Sequence, residues 1–440
     1  MSYSKKDDLY VIIDTIYRKS IYYKSDKLDH YHFIEIAQVV FKELIPSSDG
    51  LNAAMKFLID EGLIIRNEYY RIRGGLCKGY KIPSEYLSHP IPVKIDCKKI
   101  NARILKQIEA NRVSKKDSMA FAKSKYMKGF KIDVNAALES IKQKTVDDIL
   151  MLCENLNIKA TRERAEEVLS MNHKWPMINL KSEILFHEQG KTLYSIIHRY
   201  IVHITRVNAI NDGYLFFKRN TTNNRLDSNL TSLPSYLRKH IIAPEPLVNV
   251  DIKNSQPFFL YAVLKDDLTI EASELTKFGE LVMNGKLYEY MIEKYDESFG
   301  KVKTRKEMKT LVFRVLFSKI ERRQPEKIFF RSVFPSIMEF VDSTNQKENN
   351  VLAILLQKKE AYCVLDVVMP RLKELGIVPL TIHDSFVCFQ NEAEMLKKTF
   401  NDEMFKLLGI LPTLSVEMLI EEETEEKPWS FENDWDASAA

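Results

Sequence analysis

Two aspartates and one basic-aromatic helix carry the chemistry that this chain offers. Leu247-Val248-Asn249-Val250-Asp251-Ile252 reads as an apolar strand ending on a carboxylate. Pro379-Leu380-Thr381-Ile382-His383-Asp384-Ser385-Phe386-Val387 reads as a second apolar run, broken by His383-Asp384-Ser385 as a tight hairpin would break it. Carboxylates from neighbouring strands can hold two Mg²⁺ ions about 3.5–4 Å apart, the arrangement that drives in-line phosphoryl transfer. Between these segments Arg305, Lys309, Phe313 and Phe317 recur along one stripe of a predicted helix. A nucleoside triphosphate needs cations on its phosphates and a flat apolar surface under its base, and that stripe offers both. An amphipathic helix with core phenylalanines and a solvated basic end accounts for the same spacing, and a lone Asp on a strand is usually a cap or turn residue. The chemical reading therefore rests on the aspartate pair.

The elements that must position these residues fall into three predicted regions. Residues 1–95 contain an amphipathic stretch from Phe33 to Leu44 and a helix from Leu51 to Asp60 that Ser48 or Asp49 could cap and Gly62 stops. A basic hairpin follows, from Leu63 through Gly74-Gly75 to Tyr80-Lys81-Ile82. Helix, helix and hairpin in that order resemble a winged helix-turn-helix, which binds DNA in some proteins and only protein in others. Residues 96–195 read as a charged helical connector, with Arg112-Val113-Ser114-Lys115-Lys116-Asp117 as a linker or exposed helix end. In residues 196–440, apolar strands alternate with helices. The predicted class is α+β.

Bulk composition excludes little. At 440 residues, with 45% hydrophobic and 29% charged residues, the chain is an ordinary globular one with room for two or three cores. A net charge of +4 is nearly balanced. Its distribution is not: the first 130 or so residues are rich in Lys, Arg and Tyr, and Glu421 to Glu426 is acidic. That asymmetry suits a polyanionic partner. Five cysteines without a Cys-x-x-Cys pair read as reduced thiols. A polar start and the lack of a long apolar run predict a soluble, cytoplasmic protein without a membrane partner.

The motifs taken together resemble the superfamily of family A DNA polymerases and single-subunit phage-type RNA polymerases, over roughly residues 200–435. Asp251 is similar to the motif A aspartate, Arg305 to Ser318 to motif B with Phe317-Ser318 at the usual Tyr-Gly, and His383-Asp384 to the motif C His-Asp. Thr221-Thr222-Asn223-Asn224-Arg225-Leu226 resembles a Thr-x-x-Gly-Arg-Leu element with Asn224 replacing Gly. Phe334-Pro335-Ser336-Ile337, Gln357-Lys358-Lys359-Glu360-Ala361 and Trp429 follow in family order. The resemblance implies a right-hand polymerase: an antiparallel palm sheet with helical fingers and thumb. It implies that Asp251, the Ile252 carbonyl and Asp384 bind two Mg²⁺ ions, for which Mn²⁺ can substitute. Arg305 and Lys309 would hold the triphosphate, with Lys309 protonating pyrophosphate. Phe313 would lie under the nucleotide, Phe317 near the template base and His383 at the primer terminus. Arg225 and Gln357 would contact primer–template DNA.

Departures from the family bear on the product. Gln256 stands where DNA-making members resemble one another in having Glu, whose bulk excludes a ribose 2′-hydroxyl, and the RNA-making relatives have Gly. Gln256, Phe313 and the missing Tyr hydroxyl at Phe317 favour deoxynucleotides, while Ser385 and Ser255 match the RNA polymerases. The balance favours a template-directed DNA polymerase without a proofreading exonuclease, with trimmed fingers, serving a phage, plasmid or mobile element with replication accessory proteins. A primase or small RNA polymerase of the same ancestry, and a non-catalytic DNA-binding replication initiator, remain the alternatives.

Overall fold

A computed structural model describes residues 5–21, 33–67, 78–83, 93–110, 120–169, 190–318, 324–346 and 350–419. The 112–117 linker, the Gly74-Gly75 turn, the acidic run from Glu421, Trp429 and Cys77 lie outside the described residues. The chain is a helix-rich α+β protein with small antiparallel sheets. It divides into two compact units, each assembled from three stretches of chain. No helix among the described residues is long and apolar enough to cross a membrane.

The first unit comprises Met1–Arg112, Lys131–Leu215 and Leu233–Ile241. Its N-terminal part runs helix Lys6–Ile21, strand β1 (Ile34–Glu35), helices Gln38–Leu44 and Ser48–Asp60, then β2 (Ile65–Arg66) and β3 (Gly79–Lys81). The sheet order is β1-β3-β2, all antiparallel. Two sequence expectations need correction. The first helix starts at Gln38 rather than near Phe33, because Ile34 and Glu35 pair with Tyr80 and Gly79, a distant partner that overrides local periodicity. The second is capped by Ser47, whose hydroxyl accepts from Gly50 N–H at 3.1 Å. Gly62 ends it at φ +69°, a left-handed conformation that glycine adopts without steric cost. Phe41, Ile12, Ile16, Leu51 and Leu58 form the core between these helices and the sheet. Further along, helix Val134–Asn155, capped by Asp133, packs against helix Gly190–Asn211.

The second unit comprises Val113–Phe130, Phe216–Ser232 and Ile242–Ala440. A hairpin of β4 (Phe217–Arg219) and β5 (Leu226–Ser228) precedes a four-stranded antiparallel sheet in the order β7-β8-β6-β9. Here β6 is Leu247–Ile252, β7 Leu380–Ile382, β8 Ser385–Phe389 and β9 Leu414–Met418. Alternation along β6 buries Val248, Val250 and Ile252, and leaves Leu247, Asn249 and Asp251 half-buried on the other face. On the buried face Phe386, opposite Val250, meets Phe400 of helix Ala393–Leu408 edge-on at 5.9 Å. Helix Ser255–Leu264, apolar after its first two residues Ser255 and Gln256, is buried between helices Ala272–Met283 and Val351–Ala361. Gly279 permits that approach: a Cβ there would come within 2.4 Å of the Tyr261 ring.

Candidate active site

The sheet register brings the first acidic pair together. Asp251 stands opposite Ser385 on β8 and Ser415 on β9, and Asn249 stands opposite Glu417. Since residues two apart share a face, Asp251 and Glu417 lie on the same side of the sheet. Ile382 pairs with Ser385, which leaves His383 and Asp384 as a two-residue hairpin turn. His383 has φ +54°, the positive value that mirror-image hairpin turns require. For a histidine this conformation costs about 1–2 kcal/mol, the kind of strain that clusters at functional sites.

Helix Arg305–Phe317 forms because its start is closed by a capping box: the Thr304 hydroxyl accepts from Glu307 N–H, and the Glu307 carboxylate accepts from Thr304 N–H at 2.7 Å. Its Arg305, Lys309 and Phe313 line one cleft of about 410 Å³ together with Asp251, Ile252, Asn254, Gln256, Tyr288, Glu289, Asp384, Ser415 and Glu417. That volume falls within the range of small-ligand sites. Acids and cations are both abundant in its wall: Asp251, Asp384, Glu289 and Glu417 face Lys253, Lys286, Arg305 and Lys309.

Electrostatics distinguish the two ends. Burial first, and then the adjacent Asp384 charge, push the Asp251 carboxyl well above the usual carboxylate range, to about 8, with Lys309 opposing the shift. Two acids in this relationship are destabilised by their own proximity, so a cation between them is favourable. Among the described residues no group of three or more His, Cys, Asp or Glu could hold a metal ion unaided. Mg²⁺ is compatible with such a site, since it often takes one or two carboxylates and completes its shell with phosphate oxygens and water. At the other end Arg305 donates to Glu289 at 2.9 Å and lies over the Tyr288 ring at 5.1 Å. The Lys309 ammonium lies 5.6 Å from the Phe313 ring centroid.

Asp251, Ile252, Gln256, Arg305, Lys309, Phe313 and Asp384 all line the cleft. His383 holds the turn next to it. Three residues expected to contact template or primer–template are buried. Phe317 is 8% exposed and belongs to the core beneath Phe313, at 5.6 Å between rings. Arg225 is buried in a bidentate pair with Glu360, Nε to Oε1 at 2.8 Å and Nη2 to Oε2 at 2.9 Å. Gln357 is also buried, its Oε1 accepting from Asn223 at 2.9 Å. Both lie inside the protein because the β4–β5 loop is anchored to helix Val351–Ala361 through them. Asn224, the departure from glycine in that loop, has φ +60°, a conformation asparagine tolerates better than most residues.

Sequence reasoning missed Glu360, Glu417, Tyr288 and Asn254. Glu360 had a signal, a single acid at core spacing with Leu352, Leu356 and Ala353 on its helix. Glu417 had a weaker one, two residues after Ser415 in a short alternating run. Tyr288 and Asn254 had none.

No protein-family model matches this chain, and no curated protein does. Among solved structures it is similar to the POL domain of Pol1 from M. smegmatis in complex with DNA primer-template and dNTP, with a TM-score of 0.46 and 13% identity, over 73% of this chain and 72% of that one.

Proposed function

We propose that this protein is a template-directed nucleotide polymerase that extends a primer 3′ end by metal-assisted phosphoryl transfer, with a right-hand layout in which β6–β9 form the palm and helix Arg305–Phe317 belongs to the fingers. The observation that carries this reading is the meeting, in one cleft, of Asp251 and Asp384 with Arg305, Lys309 and Phe313.

Asp251 and Asp384, with the Ile252 carbonyl, would hold two Mg²⁺ ions. When bound, such ions polarise the reacting phosphate, lower the pKa of the attacking hydroxyl and neutralise the leaving pyrophosphate. The chain's own residues do the positioning. Arg305 and Lys309 are cations on one edge of a helix and would hold a triphosphate against the sheet. Glu289 would yield Arg305 to the phosphates, an exchange at an exposed pair that costs little. The Lys309 ammonium, which lines the same cleft and acts electrostatically on Asp251, would donate a proton to pyrophosphate as it leaves. Phe313 would support the base from below.

The helix–helix–hairpin order of residues 34–82 supports a winged-helix DNA-docking role for the first unit. The product is proposed to be DNA, made without proofreading in the replication of a phage, plasmid or mobile element. Incorporation assays with deoxy- and ribonucleotides, on primed DNA and RNA templates, test the proposal. It expects Mg²⁺-dependent extension by deoxynucleotides. Failure to incorporate either nucleotide class on any primed template would contradict it.

A further inference from the structure

We infer that Glu360, outside the cleft wall, is a positioning residue that fixes the amide of Gln256 so that its Oε1 accepts a hydrogen bond from a sugar hydroxyl of the bound nucleotide. This rests on the nucleotide-binding reading above and adds the residue that orients Gln256 and the hydrogen bond that orientation offers.

The argument begins with a fully buried carboxylate. Glu360 is 0% exposed, and its Oε2 receives Arg225 Nη2 at 2.9 Å, Ser255 Oγ at 3.1 Å and Gln256 Nε2 at 2.5 Å. Burial pushes the Glu360 carboxyl up to about 7, and the Arg225 guanidinium opposes that shift. With Arg225 donating to both of its oxygens it acts as an acceptor, so it selects the donating end of an amide. The Gln256 side chain is therefore held with its NH₂ toward Glu360 and its carbonyl oxygen the other way. That oxygen is buried and has no hydrogen-bond partner among the described residues. Gln256 itself is 6% exposed and lines the cleft with Ser255 and Asp251, whereas Arg225 and Glu360 stand behind the wall. Asn254, in the same wall and 5% exposed, likewise has both side-chain polar atoms without a partner among the described residues.

An acceptor removed from water and left unpaired is unfavourable, and a ligand that donates to it gains what its absence costs. Phosphate oxygens cannot serve, being acceptors. Donors on the bases differ from one nucleotide to the next, and an enzyme directed by a template needs a contact common to all of them. The sugar hydroxyls, at C2′ or C3′, are the donors that nucleotides share.

Equilibrium binding to the full-length chain, with Mg²⁺, separates the possibilities. Four triphosphates of one base are compared: the ribonucleotide, its 3′-deoxy form, its 2′-deoxy form and its 2′,3′-dideoxy form. The inference predicts that the dideoxy form binds about tenfold more weakly than at least one hydroxyl-bearing form. The two monodeoxy forms tell which hydroxyl is read. Gln256→Met, which keeps the length and loses the acceptor, should bind all four alike. Glu360→Gln allows the Gln256 amide to turn and should lose the same discrimination while pyrophosphate affinity stays unchanged, which a general structural lesion would not do. If that variant does not fold, Arg225→Met with Glu360→Met removes both buried charges together and is read in the same way. Equal binding of all four by the wild-type protein would overturn the inference while leaving the nucleotide site intact. So would hydroxyl discrimination that survives in the Gln256 or Glu360 variants. Failure of all four to bind would overturn the nucleotide-site reading, and this inference with it.

Discussion

Asp251 pairs across the β6–β8 ladder with Ser385, which sets Asp384, one residue earlier, at the tip of the adjoining hairpin. Strand register thus joins two acids separated by more than a hundred residues of sequence. That the pair carries an electrostatic penalty is shown by Asp251, which burial and Asp384 raise to about 8.

This penalty makes stability depend on pH. The folded protein retains the Asp251 proton above the pH at which the unfolded chain, near 3.8, releases it. The favourable contribution is thus fully present below 3.8 and is lost as pH rises through about 8. In metal-free buffer, Asp251→Asn should raise the melting temperature at pH 8 by several degrees and leave it nearly unchanged at pH 4. Thermal unfolding at the two pH values measures both.

Divalent cations should offset the same penalty. Mg²⁺ or Mn²⁺ at a hundred times its dissociation constant stabilises a folded protein by about 2.7 kcal/mol. The gain should grow from pH 6 to pH 8, because the ion competes with the Asp251 proton. Asp384→Asn should abolish most of the cation-induced shift, as read in a melting titration.

The buried Arg225–Glu360 pair gives a contrasting outcome. Removing one partner leaves a desolvated charge, so Arg225→Met should destabilise by about 3–5 kcal/mol. Replacing both residues by Met should restore much of that loss. Denaturant midpoints of the single and double variants form the test.

The two phenylalanines of helix Arg305–Phe317 should separate function from stability. Phe313 lines the cleft, and Phe313→Ala should weaken nucleotide binding about tenfold, in keeping with the ~1–3 kcal/mol that base–aromatic stacking contributes. Phe317 is core, and Phe317→Ala should instead destabilise folding by about 3–5 kcal/mol. Nucleotide titration and denaturant unfolding of both variants would show the reversal.

What the sequence made legible was local. Strand β6 announced itself as an apolar run ending on a carboxylate, the hairpin by its break at His383-Asp384, and helix Arg305–Phe317 by the regular spacing of Arg305, Lys309, Phe313 and Phe317. What it hid was pairing over distance. Ile34 and Glu35 became a strand only because Tyr80 and Gly79 returned beside them. For Arg225 the resemblance implies a primer–template contact, and nothing near it in sequence reveals Glu360, with which it pairs inside the protein. Phe317 followed Phe313 in the stripe, yet a helix turns about 100° per residue, so four residues drift from the cleft edge toward the core.

The central claim is that Asp251 and Asp384 act together on one reacting phosphate. Primer extension with Mg²⁺, comparing the wild-type chain with Asp251→Ala and Asp384→Ala, addresses it most directly. Extension by the wild type, and loss of about a thousandfold or more in each variant with primer–template binding retained, is the predicted result. Extension at wild-type rates by both variants would contradict it.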